Sequence, residues 1–539
     1  MERMWDTPER RRALLCELVG WDSVTGTRGE ARFATQLANL VRRVPWFVDH
    51  PGNVRVGELP TGTSFVTATY RHPEARDAIV LLSHFDTVDT ADYGDFERLA
   101  FDPERLTAEL AARPGSLPAE AAADLTTGEW LFGRGTMDMK AGLAVHLAVL
   151  EQAAAEAWPI SIVLLTVPDE EVNSDGMRAA TPHLRALAEE HCLCYVLFCN
   201  GEPTFPAFPG DTASYVYSGS IGKLLPSVLC FGHETHAGTP LKGLTSSFIA
   251  ARVTRAMELT DAFRETHNGE VTPLPVTLDQ HDRRDGYSTQ TPFRTSALYN
   301  VFVMQRGADE VLDTFERVVT GAVEQCTTDY HAICEREGVE PIGEIRVLRF
   351  DALRAAAVER VGEDEVVRLT AVAAQAGDPD LREQALRIAE ALLGACRDLT
   401  PAVVLLFAPP YYPAVNSSGD ALVEACVARV QEQAAERYGL DVVRAHYFNG
   451  ISDSSYLSFR SGSGASSAYA DNCPGFGTAY DIPFDDMAWL DAPVFNLGPF
   501  GKDPHQRTER VHVASAVEQA PELLADLVLT VAHQVRRDT

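Results

Sequence analysis

The run Val163-Leu-Leu-Thr-Val167 stops at Pro168, and three acids follow at once: Asp169, Glu170 and Glu171. An unbroken run of apolar and β-branched residues is the pattern of a strand buried on both faces of a largely parallel sheet. Proline cannot donate to the ladder, so the strand ends there. In open α/β sheets, ligands and reacting groups collect beyond the carboxyl ends of strands. Three adjacent carboxylates repel one another, and a cation among them relieves that repulsion. Taken alone, the segment reads equally as a plain acidic turn, so the neighbouring strand ends decide.

Those ends repeat the theme. Ala78-Ile-Val-Leu-Leu-Ser83 is a short buried strand that delivers His84-Phe85-Asp86. The strand at 193–199 ends in Asn200-Gly-Glu-Pro203, and Phe132-Gly-Arg-Gly-Thr-Met-Asp-Met-Lys-Ala-Gly142 carries Asp138 into an apolar helix at 141–156. Helices are expected at 8–20, 29–43 and 177–190. Strands alternating with helices predict an α/β fold, a mainly parallel sheet covered on both faces. Residues 89–130, rich in Asp, Pro and Ala, read as a loop-like insertion that walls the site.

The rhythm changes near residue 219. A strand at 220–231, a helix at 244–266, a strand at 295–305 and a helix at 308–336 suit a small α+β sandwich with an antiparallel sheet. Helices at 352–361 and 380–398 and a strand at 403–407 follow. From about 419 the βα rhythm returns: a helix at 420–438, a strand at 441–447, a Gly/Ser-rich loop at 461–478, a strand at 493–497 and a helix from about 514. The chain of 539 residues is too long for one core. The expected division is an α/β domain built from 1–218 and 414–539, interrupted by an inserted domain at 219–413 with extra helices at about 340–400.

A net charge of −31 argues against nucleic acid or an anionic membrane as partner. No run of about eighteen apolar residues predicts a membrane span, and Met1-Glu-Arg-Met-Trp-Asp has no apolar signal core. The cysteines show no CxxC pair. Cys192, Cys194 and Cys199 sit in one apolar run and read as buried strand thiols, which predicts a reducing, cytoplasmic location. The basic residues are almost all Arg. The lysines are Lys140, Lys223, Lys242 and Lys502, and two of them, Lys140 and Lys502, fall inside motifs.

The strand-end groups are His84 with Asp86, Asp138, Glu170 with Glu171, and Glu202. His505, in Gly498-Pro-Phe-Gly-Lys-Asp-Pro-His505, follows the strand at 493–497. Two imidazoles and several carboxylates suit zinc, with cobalt or manganese as alternatives. A two-metal site needs one bridging carboxylate and a terminal pair on each ion. Asp138 as bridge, His84 and Glu202 on one ion, and Glu171 and His505 on the other meet that count. Asp86 is placed to fix the His84 tautomer. Glu170 is then a spare carboxylate, suited to take a proton from water.

These motifs resemble the co-catalytic zinc hydrolases that include aminoacylase, glutamate carboxypeptidases and tripeptidase. The matching pieces are Ser83-His-Phe-Asp-Thr-Val88, Gly133-Arg-Gly-Thr-Met-Asp-Met-Lys-Ala-Gly142, Val167-Pro-Asp-Glu-Glu171, Gly201-Glu-Pro203, and His505 with Glu509. Within that family the chain looks most like the RocB-type arginine-utilisation proteins, through Asp169-Glu-Glu-Val-Asn-Ser174, Gly222-Lys223, Thr235-His236 and Gly498-Pro-Phe-Gly-Lys-Asp503. The resemblance implies metal ligands at His84, Asp138, Glu171, Glu202 and His505, a general base at Glu170 and a supporting Asp86. It implies a lid or dimerisation role for the inserted domain, and with it a homodimer. His236 would stabilise the oxyanion, and the Asp138–Met139 peptide would be cis. Asp453, in Asn449-Gly-Ile-Ser-Asp453, would support the site from behind.

The family's lid Asn-x-x-Pro is here Thr289-Gln-Thr-Pro292. Arg294 and Arg306 are the nearby candidates to hold a substrate carboxylate, with ordinary surface arginine as the other reading. The resulting expectation is hydrolysis of an amide (peptide, N-acyl or N-carbamoyl) bond in a small amino-acid-like substrate, in arginine utilisation. The alternative is a metal-poor binding or regulatory protein on the same scaffold. The glycine pair at Gly133 and Gly135 lacks a third glycine and an acidic ribose partner, so a dinucleotide fingerprint is not met. No G-x-S-x-G nucleophile signal occurs.

Overall fold

The computed structural model describes residues 3–377 and 379–536. The chain divides into two units: 1–220, 415–459 and 483–539 form the first, and 221–414 with 460–482 form the second.

The first unit is built on an eight-stranded sheet. In order across the sheet, its strands are Val54–Glu58, Ser64–Tyr70, Ser161–Val167, Asp77–His84, Cys194–Asn200, Val494–Asn496, Ser214–Tyr217 and Val442–Ala445. Asp77–His84 runs parallel to both neighbours. The hairpin Val54–Tyr70 joins the sheet antiparallel, so the sheet is mixed. Every residue of Ser161–Val167 is buried. The helix Lys140–Glu156 presents almost only buried residues, so periodicity along it is weak and length identifies it instead. The register sets His84 beside Val167, and Leu82 beside Asn200. The segments that leave these three strands therefore emerge at one level of one sheet edge.

The insertion at 89–130 is not loop-like. It holds helices Pro103–Ala112 and Ala119–Thr127 and a small core of Tyr93, Leu106, Leu110, Leu125, Trp130 and Phe132. Asp102 caps the first helix by accepting from Arg105 N, and Pro103 sits at its first position, a start signal that the Asp- and Pro-rich composition obscured.

The second unit has a five-stranded sheet in the order Val276–Asp282, Arg294–Val303, Gly222–Phe231, Ala402–Tyr412, Arg346–Arg349. Only the last pairing is parallel. The helices Phe350–Val361, Glu363–Gln375 and Leu381–Gly394 pack Leu353, Leu386 and Leu392 with Leu229, Phe231, Val404 and Leu406 on one face of this sheet. Strand neighbours of those residues point the other way, where Tyr299 reaches Thr254 and Phe315 on helices Ser246–Met257 and Ala308–Glu337.

Residues 461–478, read as a Gly/Ser-rich loop of the α/β domain, instead contain the helix Gly462–Asn472 and pack with the second unit. Ala465, Tyr469 and Asn472 are its buried residues, at helical spacing. Tyr469 lies 5.3 Å from Phe407 and 4.7 Å from Tyr411, ring to ring. Packing thus overrides a poor helix-forming composition. Tyr469→Ala should lower the stability of this unit by about 3–5 kcal/mol, as for other large buried aromatics. Urea unfolding followed by tyrosine and tryptophan fluorescence measures it, and a loss under about 1 kcal/mol would show the helix to be peripheral.

The three-cysteine run divides. Cys199 is buried within its strand, whereas Cys192 and Cys194 are exposed. Cys192 is the left-handed cap of the helix Asp175–His191, and Cys194 is the first residue of its strand, at the exposed end of the sheet rather than in its buried middle.

Candidate metal centre

Asp138 occupies the middle of a group of imidazoles and carboxylates in the first unit. Its Oδ1 lies 3.3 Å from His84 Nε2, and its Oδ2 lies 3.1 Å from His505 Nε2. His84 Nε2 is 3.7 Å from Glu202 Oε1, and His505 Nε2 is 3.1 Å from Glu171 Oε2. One carboxylate oxygen therefore faces the pair His84/Glu202 and the other faces Glu171/His505. Among the described residues, one ligand atom each of His84, Asp138 and Glu171 all lie within 4.8 Å of one another. The Asp138–Met139 peptide is cis. Glu170 Oε2 is 3.9 Å from His84 Nε2.

The supporting bonds orient these groups. His84 Nδ1 is 3.1 Å from the Asp86 carbonyl, which can only accept, so Nδ1 carries a proton and Nε2 is the nitrogen left to face Asp138 or a metal ion. The Asp86 carboxylate accepts from the backbone N–H of Glu170 at 3.1 Å and of Glu171 at 3.2 Å, and from Thr25 Oγ1 at 2.9 Å. Asp86 thus holds both the imidazole and the acid turn. Asp169 adopts a left-handed conformation, with φ of 64°. Its N–H donates to Glu30 Oε1 at 3.0 Å, and its own carboxylate caps Asp175.

Burial and charge show what this cluster can hold. Burial would raise Asp138, but the imidazoles of His505 and His84 override it and hold its carboxyl well below the usual range. Bonds to Asp138 and Glu171 push His505 up to about 11. Burial pushes Glu170 and Glu202 well above the usual carboxylate range, and Asp453, buried beside them, up to about 7. Without a metal, protons on imidazoles and carboxyls neutralise a crowded acidic site. Divalent ions do the same by displacing those protons. The donor set of two imidazole nitrogens and convergent carboxylate oxygens fits zinc or a similar ion.

His236, Arg294 and Arg306 belong to the second unit. His236 is exposed, and its Nδ1 accepts from Gly238 N at 3.0 Å. Arg294 pairs with Glu390 on the helix Leu381–Gly394, and Arg306 donates to the Ala262 carbonyl at 3.0 Å. Both guanidinium groups are therefore engaged by their own unit. Lys140 is buried, donates to the Trp21 carbonyl at 2.7 Å and lies over the Phe33 and Phe101 rings. Burial pushes its ammonium down to about 7.

Two supporting residues escaped sequence reasoning. Glu30 stands three residues after the helix cap Thr27, in a T-x-x-E pattern that signals a capping box. Its Oε2 accepts from Gly26 N at 2.7 Å while Oε1 reaches the acid turn, and burial pushes it up to about 8. Arg134, buried, donates to Glu509 Oε2 at 2.7 Å and to the His505 carbonyl at 3.2 Å. It lies in the Gly133-Arg-Gly motif, but nothing in the sequence indicates its partners.

The described residues contain no helix long and apolar enough to cross a membrane. A profile of Peptidase family M20/M25/M40 matches residues 80–530. The chain is 38% identical to the uncharacterized protein YqjN of Bacillus subtilis, covering 98% of each chain. It is 30% identical to Protein RocB of the same organism, covering 98% of this chain and 96% of RocB. Among solved structures it is similar to the M20 family metallo-carboxypeptidase Sso-CP2 of Sulfolobus solfataricus, with a TM-score of 0.57 at 11% identity, covering 97% and 99% of the two chains.

Proposed function

The chain belongs to peptidase family M20/M25/M40, a family of metallohydrolases, and on that premise we propose that it hydrolyses an amide bond in a small, amino-acid-like substrate with two divalent ions. The observation that carries this reading is the division of Asp138: one oxygen faces His84 and Glu202, the other faces His505 and Glu171. Zinc is the proposed metal, held by those five side chains. Bound there, two such ions supply Lewis-acid activation of water and of the scissile carbonyl. Glu170 takes the proton from the attacking water as the new C–O bond forms and the carbonyl π bond opens, and then delivers it to the departing nitrogen as the C–N bond breaks and the carbonyl re-forms. Asp86 keeps Glu170 in place through its backbone N–H. The full-length similarity to RocB supports a place in arginine utilisation.

A panel of N-acyl amino acids, ureido acids and dipeptides, assayed with zinc, cobalt and manganese, tests this reading. At least one of the three classes should turn over, and a chelator should abolish that turnover. If the protein holds metal yet all three classes stay inert, the amide reading fails.

A further inference from the structure

His505 differs from the other proposed ligands in how it is held. His84 and Glu202 are buried at or just beyond the ends of sheet strands, and the sheet positions them. The His505 side chain is 49% exposed and rides on a turn. Two non-glycine residues of that turn, Asp503 with φ of 57° and His505 with φ of 62°, are left-handed. Such backbone persists only where its surroundings enforce it.

The surroundings that enforce it come from the insertion. Asp124, on the helix Ala119–Thr127, accepts from Arg510 Nε at 2.9 Å and Nη2 at 2.7 Å, and from Lys502 Nζ at 3.0 Å. Arg510, fully buried, also bonds Asp503, the first left-handed residue, and the Thr508 carbonyl. Lys502 reaches Glu120 at 3.0 Å and lies over the Trp130 ring. Arg507 donates to the Ser116 carbonyl. On the other side, Asp92 accepts from Arg134 Nη2 and the Asp89 carbonyl from its Nε, and the same Nη2 also bonds the His505 carbonyl itself. The insertion thus meets cations before, within and after the His505 turn, Lys502 and Arg510 through its acids and Arg507 through a backbone carbonyl.

We propose that the insertion at 89–130 is a brace that sets His505, with Asp124 as its chief positioning residue. Losing Asp124 unseats Arg510 and Lys502 together, lets the turn at 502–509 relax, and weakens the ion that His505 and Glu171 would hold. The ion assigned to His84 and Glu202 is left unaffected. The metal part of this inference rests on the two-metal reading; the brace itself does not.

The test uses the full chain and two readouts. In the first, cobalt or zinc is titrated into wild type, Asp124→Ala and Lys502→Met, followed by calorimetry and by cobalt absorption. The expected result is two ions in wild type. The second should be weakened about 10–100-fold in Asp124→Ala, as for other groups that orient a metal ligand, with the first within twofold of wild type. In the second readout, hydrogen exchange of the metal-free chains should speed up at 502–509 by at least about tenfold, with no change at 84–86 or 170–171. Asp526→Asn, which breaks the pair with Arg429 between two helices, is the control and should alter neither readout beyond a lower melting point. Should Asp124→Ala fail to fold, Lys502→Met decides by the same selective pattern. Unchanged exchange at 502–509, or parallel weakening of both ions, overturns the brace. A wild type that binds fewer than two ions overturns the two-metal reading alone, and the exchange data still judge the brace.

Discussion

Glu170→Gln is expected to lower kcat by roughly 10²–10⁴-fold, the usual contribution of a positioned proton-transfer group, while metal content and melting point stay as in wild type. The substitution is nearly isosteric. The Glu170 backbone remains anchored by Asp86 Oδ1, so little but the proton chemistry changes. Glu170 is also not among the groups assigned to either ion: its nearest imidazole contact, 3.9 Å, is longer than that of each assigned carboxylate, 3.1–3.7 Å. Glu171→Gln should give the opposite signature, weaker metal binding that extra metal partly rescues. Turnover assayed with the best substrate from the panel, under saturating metal, separates the two. A kcat within tenfold of wild type in Glu170→Gln would remove the proton-transfer role.

The strand ends were legible because each follows a buried run that only a central strand explains. Val163–Val167 and Ala78–Ser83 announce themselves by unbroken apolarity, and their register then brings His84, Glu170 and Glu171 to one edge. Glu202 follows from the same logic at Asn200. What could not be read was tertiary. Glu30 looks like a helix-start acid, and only the fold turns its second oxygen toward Asp169. Asp124 meets Arg510 across 386 residues, a pairing that no local pattern encodes. The helix Gly462–Asn472 failed for a different reason: glycine and serine are poor helix formers, and its stability comes from Tyr469 packing on Phe407 and Tyr411 rather than from propensity.

These failures share a physical cause with the proposed function. A cluster of buried acids costs stability unless something cationic or a network of donors holds it, so residues recruited from distant segments gather around it. Asp86 with its three donors, Glu30 with two backbone N–H groups, and Arg134 with Glu509 are such recruits. Each ties a different segment to the metal centre. The price in conformational freedom is met by the rigid sheet beneath.

Asp138→Ala should abolish activity and most metal-linked stabilisation. Among the five proposed ligands Asp138 is the one that faces both imidazoles, so its removal opens both proposed sites at once, whereas removal of any terminal ligand opens one. Loss of a group that merely orients a ligand costs about 10–100-fold in metal affinity, and loss of the shared ligand should cost more on each ion. The thermal readout follows from linkage: metal at about 100 times its dissociation constant stabilises the folded chain by about 2.7 kcal/mol per site. Wild type should therefore melt higher on addition of zinc or cobalt, and Asp138→Ala should melt at the same temperature with or without them. In the metal-free state the substitution also takes away the carboxylate that most raises His505, so the imidazole loses its main reason to hold a proton near neutral pH. An Asp138→Ala chain that still takes up two ions, or that still gains stability from metal as wild type does, would show that Asp138 does not bridge them.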